Sequence, residues 1–263
     1  MRYDLLKTIL KIPTRYKQED AIVQFLEEYA FKNHYHAEVD KYKNVFIHKG
    51  DKINRPLICA HTDTVHSIHP ENIPEQIIEN DHGDLIALKK KGTQTGIGGD
   101  DKAGIFICLE LLEHFKDISV VFFATEEIGC VGAHGASKHH YNDIGYAIEF
   151  DSPEDNIMSY SNNGINNFED NGDFIKLISP ILNSHGVTRW EKHPYTDIHV
   201  IRKVTKLSCL NLPAGYFNYH TPYEYVRPKA VENSIKLGIN IINTLGYQKY
   251  MFEHNHLNNS LFY

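Results

Sequence analysis

Apolar residues recur along this chain at two spacings, and the change from one to the other divides it into regions. Leu5, Leu6, Ile9 and Leu10 fall at helical spacing and stop before Pro13; Ile22, Val23, Phe25, Leu26 and Tyr29 repeat the pattern over a longer stretch. Two N-terminal helices are expected. Short apolar segments follow at Ala37 to Tyr42, Asn44 to His48 and Leu57 to Ala60, and the run NDHG, Asn80 to Gly83, predicts the turn of a hairpin. Beyond it, helices and strands alternate. A helix over about Lys102 to Phe115 precedes the strand ISVVFFAT, and a short helix near Ala133 to His140 precedes the strand GYAIEF. Asp173 to Leu182 and Val226 to Leu245 supply further helices, and LSCLNL a further strand. The alternation predicts an α/β fold in three layers, α/β/α, with a central mixed, mostly parallel sheet. The final run from Lys249 lacks periodicity and is expected on the surface.

Composition narrows the possible functions. With 41% hydrophobic and 23% charged residues the chain matches an ordinary globular protein. A formal net charge of -7 offers no basic surface for a phosphate backbone, which argues against nucleic acid as a partner. The start, MRYDLLKTILKIPTRY, interrupts every apolar pair with charge, so neither a signal peptide nor a membrane anchor is expected and a cytoplasmic setting is the default. Cys59, Cys108, Cys130 and Cys209 lie far apart without a CxxC pair, and read as reduced packing residues. Histidine is abundant, at 17 residues, and is the commonest metal ligand.

Chemistry concentrates in five short motifs, each after an expected strand or in a loop. They are HTD (His61, Thr62, Asp63), GGDDKAG (Gly98 to Gly104), ATEEIG (Ala124 to Gly129), EFDSP (Glu149 to Pro153) and NYHTPYEY (Asn218 to Tyr225). The carboxyl ends of strands in an open α/β sheet face one crevice, so groups this far apart in sequence can meet there. Carboxylates with imidazoles and no thiolate suit zinc, cobalt or manganese at a catalytic site. Two such ions about 3.5–4 Å apart need several carboxylates to offset their repulsion. Adjacent glutamates at a strand end point to different sides, so one can bind metal while the other faces substrate. Singly, each motif is better explained as a solvated loop or a helix start. Five in order are not.

HTD, GGDDK, TEE, FD and YHT in this order resemble the di-zinc exopeptidase clan that includes peptidase T, the desuccinylases and the bacterial aminopeptidases. The resemblance implies a zinc-peptidase-like fold and two divalent ions per chain, zinc or else cobalt or manganese. It implies that Asp100 bridges both ions, that His61 and Asp151 complete one shell, and that Glu127 and His220 complete the other. Glu126 would be general base and acid, taking a proton from the attacking water and passing it to the leaving amine. Asp63 would orient His61. A cis peptide between Asp100 and Asp101 is also implied. His66, His69, His134, His139, His140, His254 and His256 belong to no motif and are expected on the surface. Cys130 is expected to pack; its closeness to Glu127 gives a place near the metal as the alternative.

Members of the tripeptidase and desuccinylase branch carry a lid or dimerisation domain of roughly a hundred residues between the aspartate and the last histidine. Residues 152–219 are too few for one and also hold elements the sheet needs, so residues 1–263 are expected to form a single catalytic domain without a lid. The run from Tyr195 to His220 is more similar to the compact aminopeptidase branch. There Asp197 either fixes a loop at the site or starts a helix. Tyr216, Tyr219 or an amide near Gly215 would then supply the oxyanion donor. The leading expectation is a metal-dependent aminopeptidase or short-peptide exopeptidase. An N-acyl amino acid deacylase and a non-catalytic binding domain are the alternatives; the oligomeric state stays open.

Overall fold

In the computed structural model, which describes residues 1–252, helices α1 (Tyr3–Lys11) and α2 (Asp20–Lys32) lead into strands β1 (Ala37–Val39), β2 (Val45–Lys49) and β3 (Arg55–His61). Strands β4 (Gln76–Glu79), β5 (Leu85–Leu88) and β6 (Gln94–Thr95) precede helix α3 (Gly99–His114) and strand β7 (Ile118–Phe123). Helix α4 (Val131–Gly135) is followed by strands β8 (Ile144–Ser152), β9 (Ile157–Asn162) and β10 (Ile165–Asn166). Next come helix α5 (Asp173–Ser184), strand β11 (Arg189–His193) and helix α6 (Asp197–Thr205). Strands β12 (Cys209–Pro213), β13 (Tyr216–Phe217) and β14 (Tyr225–Val226) and helix α7 (Pro228–Leu245) complete the order.

The main sheet runs β1-β2-β7-β3-β8-β12-β9-β10, with β11 beside β9. Its centre, β7-β3-β8-β12, is parallel, and antiparallel strands flank it. Period-two alternation sorts the side chains. Ile58, Ala60, Val120, Phe122, Ile148, Phe150, Leu210 and Leu212 pack with α1, α2, α3, α5 and α7 on one face. Leu57, Cys59, Val121, Phe123, Ala147 and Cys209 face the other way, against α4 and α6. Helices on both sides of a mixed sheet are the three layers that the sequence predicts. A second, antiparallel sheet, β13-β14-β5-β4 with β6 beside β5, carries the turn that holds His220.

Several expected boundaries move for local reasons. The strand expected to reach Tyr42 ends at Val39, because the Asp40 carboxylate accepts the N–H groups of Tyr42 and Asn44 and turns the chain. The helix expected from Val226 starts at Pro228: Arg227 is extended before the proline, and Val226 pairs with Leu85 in the small sheet. The helix expected over Ala133 to His140 splits into α4 and a 3-10 turn, Lys138–Tyr141. Most of the C-terminal run, with His254 and His256, lies outside the described residues. No described helix is long and apolar enough to cross a membrane.

Candidate metal centre

Because β7, β3 and β8 are parallel neighbours, their carboxyl ends open on the same side. His61 is the last residue of β3, Glu126 and Glu127 follow β7, and Asp151 is the penultimate residue of β8. Asp100 lies at the start of α3, after Gly98 in the left-handed region at φ 66°, where a side chain would also run into Thr64 and Lys102. A Cβ at Gly99 would collide with Val226 and Tyr216, so both glycines allow the close approach. The Asp100–Asp101 peptide is cis. His220 enters from the turn between β13 and β14.

These groups meet around Asp100. Its Oδ1 lies 3.1 Å from His61 Nε2, and its Oδ2 lies 3.1 Å from His220 Nε2. Asp151 Oδ1 is 3.4 Å from His61 Nε2, and Glu127 Oε2 is 3.2 Å from His220 Nε2. Ligand atoms of His61, Asp100 and Asp151 all fall within 4.8 Å of one another, as do those of Asp100, Glu127 and His220. Each trio could hold one ion, with Asp100 common to both. Nδ1 of His61 faces the Asp63 carbonyl at 3.0 Å; donating there leaves Nε2 with its lone pair toward the carboxylates.

Around this ring, buried groups fix backbone as much as side chains. The Asp63 carboxylate accepts the N–H groups of Glu126 at 2.8 Å and Glu127 at 3.1 Å, and stands 3.5 Å from His61 Nδ1. Orientation of His61 therefore comes mainly from the Asp63 carbonyl, a refinement of the expected role. Glu224, fully buried, accepts N–H groups from Gly98 and Asp100, both at 2.9 Å, and pairs with His66 at 2.5 Å. His66 is thus built into the support of the Asp100 loop, contrary to the expectation of a surface residue. His140 departs in the same way: it is buried and stacks on Phe46. Asn211 accepts the Asp151 N–H at 3.0 Å, and Cys130 Sγ donates to Glu126 Oε1 at 3.5 Å, which places that thiol beside the expected base.

Charge in the crevice is unbalanced. Burial, then the carboxylates Asp151, Glu127 and Asp100, push Glu126 up to about 8 against the pull of His61. Burial, then Asp100 and Glu127, likewise lift Asp151 to about 7. Burial also works to raise Asp100, but hydrogen bonds from His220 and His61 hold it below the usual carboxylate range. His220 is pushed up to about 10 by Asp100 and Glu127. Burial opposes charge on His61, yet Asp100, Asp151 and Asp63 outweigh it and hold the imidazole well above its usual range. Positive charge between these carboxylates is therefore favoured, a demand that divalent cations meet. Oε1 of Glu127, buried and without a hydrogen-bond partner among the described residues, adds an available ligand atom.

The surrounding crevice has a volume of about 140 Å³, and Pro153, His193, Pro194, Tyr195, Thr196 and Tyr219 form its outer wall. Of the expected oxyanion donors, two are committed elsewhere. Tyr216 Oη bonds the Asp151 carbonyl at 3.1 Å, and the Gly215 N–H bonds the Glu154 carbonyl at 3.0 Å. Tyr219, 46% exposed, remains on the wall. Asp197 opens α6 one residue after the N-cap, Thr196, and is fully buried. Neither of its oxygens has a hydrogen-bond partner among the described residues, and burial, followed by Glu126 and Glu149, holds its pKa well above the usual range.

A mixed sheet covered on both faces, with carboxylates and imidazoles gathered where its parallel strands end, defines the class of α/β metal-dependent hydrolases. Residues 45–230 match the model of peptidase family M28. The chain belongs to that family and is a metal-dependent hydrolase of peptide bonds. Its fold is similar to that of the aminopeptidase PepT from Bacillus cereus, with TM-score 0.75 and 14% identity over 92% of this chain and 97% of that one. A tripeptidase from Staphylococcus aureus gives TM-score 0.74 and 14% identity over 91% and 96%. The TET1 peptidase of Pyrococcus horikoshii, which can assemble into a tetrahedron or a large octahedral shell, gives TM-score 0.65 and 16% identity over 91% and 98%. No curated protein sequence matches the chain.

Proposed function

We propose that the protein is an aminopeptidase or short-peptide exopeptidase that works with two divalent ions, zinc by preference, in this crevice. One observation carries the reading: the two oxygens of Asp100 face the Nε2 atoms of His61 and His220 at the same distance, 3.1 Å. His61 and Asp151 would hold one ion, Glu127 and His220 the other, and Asp100 both. When bound, such a pair polarises the scissile carbonyl and lowers the pKa of water. Glu126, buried in the crevice with its backbone N–H held by Asp63, would take the proton from the attacking water and return it to the departing amine. Tyr219, on the wall beside His220, is the side chain best placed to donate to the developing oxyanion. Asp63 holds the Glu126 and Glu127 backbone while its carbonyl orients His61.

One catalytic domain without a lid leaves a crevice of about 140 Å³, suited to the end of a short peptide. Four free, buried cysteines fit a cytoplasmic setting. Activity should vanish on exhaustive chelation and return with zinc, cobalt or manganese. A panel of peptides with free and N-acylated amino termini tests the substrate class. Preference for the free amine supports the aminopeptidase reading, and preference for the acylated set overturns it in favour of a deacylase.

A further inference from the structure

Away from the crevice, the edge of the main sheet carries another group of ligating side chains. Glu38 of β1 stands opposite Phe46 of β2 in antiparallel register, so both leave the same face of the sheet. His140, in the 3-10 turn, stacks on the Phe46 ring with centroids 3.6 Å apart and planes 5° from parallel. That stacking brings its Nε2 to 3.7 Å from Glu38 Oε1. The His139 ring lies beside it, 3.9 Å between centroids, with Nδ1 held by Ser137 Oγ at 2.8 Å. Ligand atoms of Glu38, His139 and His140 all lie within 4.8 Å of one another.

We propose that Glu38, His139 and His140 form a second metal site, separate from the crevice, that takes one borderline divalent ion such as zinc. Two imidazoles and a carboxylate are the donor set such ions choose over magnesium or calcium. Bonds of about 2.0–2.1 Å at tetrahedral angles separate ligand atoms by about 3.3–3.4 Å. His140 and Glu38 stand near that separation already, and the exposed side chains of Glu38 and His139 can turn to close the remainder. His140, 4% exposed, is the fixed member; Ser137 plays the orienting part for His139 that a hydrogen-bonded partner plays for most ligating imidazoles. Three protein ligands leave one position for water. An ion here fastens the edge strand β1 to the turn that links α4 to β8, at the point where the main sheet is open to solvent.

Zinc alone is the probe. The full chain, stripped with chelator and then dialysed against excess zinc, is assayed for metal content as wild type, Glu38→Gln, His139→Ala and, as a control, His134→Ala. Glu38→Gln and His139→Ala should each bind one zinc fewer than wild type with peptide hydrolysis unchanged, and His134→Ala should bind the full number. Equal zinc content in wild type and His139→Ala overturns the proposal. Adding His139→Ala to His220→Ala separates this site from the catalytic one. A further loss of one equivalent is expected in that background whether or not the crevice binds metal, and no further loss also overturns the proposal.

Discussion

The carboxylate of Asp63 grips the backbone of Glu126 across the crevice, Oδ1 accepting its N–H at 2.8 Å while Oδ2 takes the N–H of Glu127 at 3.1 Å. An aspartate after the strand-end histidine thus sets the position of the expected base as well as that of His61. Replacing it with asparagine turns one acceptor into a donor that faces an N–H. Asp63→Asn is expected to cost about 1–3 kcal/mol of stability. It should also lower kcat by about 100-fold, since displacement of a catalytic group by about 1 Å has that effect. Urea unfolding and steady-state kinetics on one preparation check both.

Glu224 makes the equivalent grip on the Asp100 loop through the N–H groups of Gly98 and Asp100, backed by His66. Glu224→Gln keeps the shape but loses the charge and one acceptor. Zinc affinity should fall about 10- to 100-fold, the usual effect of removing a partner that orients ligands. Competition titration against a chromophoric chelator measures it, and unchanged affinity would remove Glu224 from the account.

Among the described residues no hydrogen bond joins the Glu126 side chain to His61, Asp100, Glu127, Asp151 or His220, so its loss should separate binding from chemistry. Glu126→Gln is expected to keep the metal content of wild type while kcat falls by about 100- to 10,000-fold. Metal analysis alongside kcat distinguishes this from a ligand substitution, which would lower both.

His48 makes a contribution of definite sign to the pH dependence of stability. Burial, followed by the charges of Arg55 and His140, pushes its pKa down to about 4. Between an unfolded value of about 6.5 and this folded value, the unfolded chain binds more protons. The stability that His48 contributes is therefore complete above about pH 6.5, declines as pH falls toward 4 and levels off below it. The ring is partly exposed, so the slope should stay well under about 1.4 kcal/mol per pH unit. His48→Gln should flatten that part of the decline, which urea midpoints of both proteins at pH 7, 6 and 5 would show.

Convergence of the crevice residues was legible because parallel strands end on one side. His61, Glu127 and Asp151 each sit at such an end, and the motif order supplied Asp100 and His220. Glu224 was not legible. It acts on backbone N–H groups more than a hundred positions earlier, and its neighbours Tyr223 and Tyr225 give no sign of burial. His66 went unread for the same reason, since its partner is Glu224. Strands β9, β10 and β11 were missed because runs such as MSYSN and RWEKH lack alternation. A helix start at Asp197 is among the expectations, but the extent of α6 is not, because Asp197, Ile198 and His199 mix polar and apolar residues that are all buried. The Asp40 turn, likewise, depends on a side chain accepting from its own backbone, which no hydrophobic pattern records.

The central claim is that two ions share Asp100. Anomalous diffraction at the zinc edge, from crystals of the full chain grown with zinc, tests it most directly. Two peaks should flank the Asp100 carboxylate, one contacting His61 and Asp151 and the other Glu127 and His220. A crevice without peaks, or a single ion that Asp100 does not touch, would contradict the account.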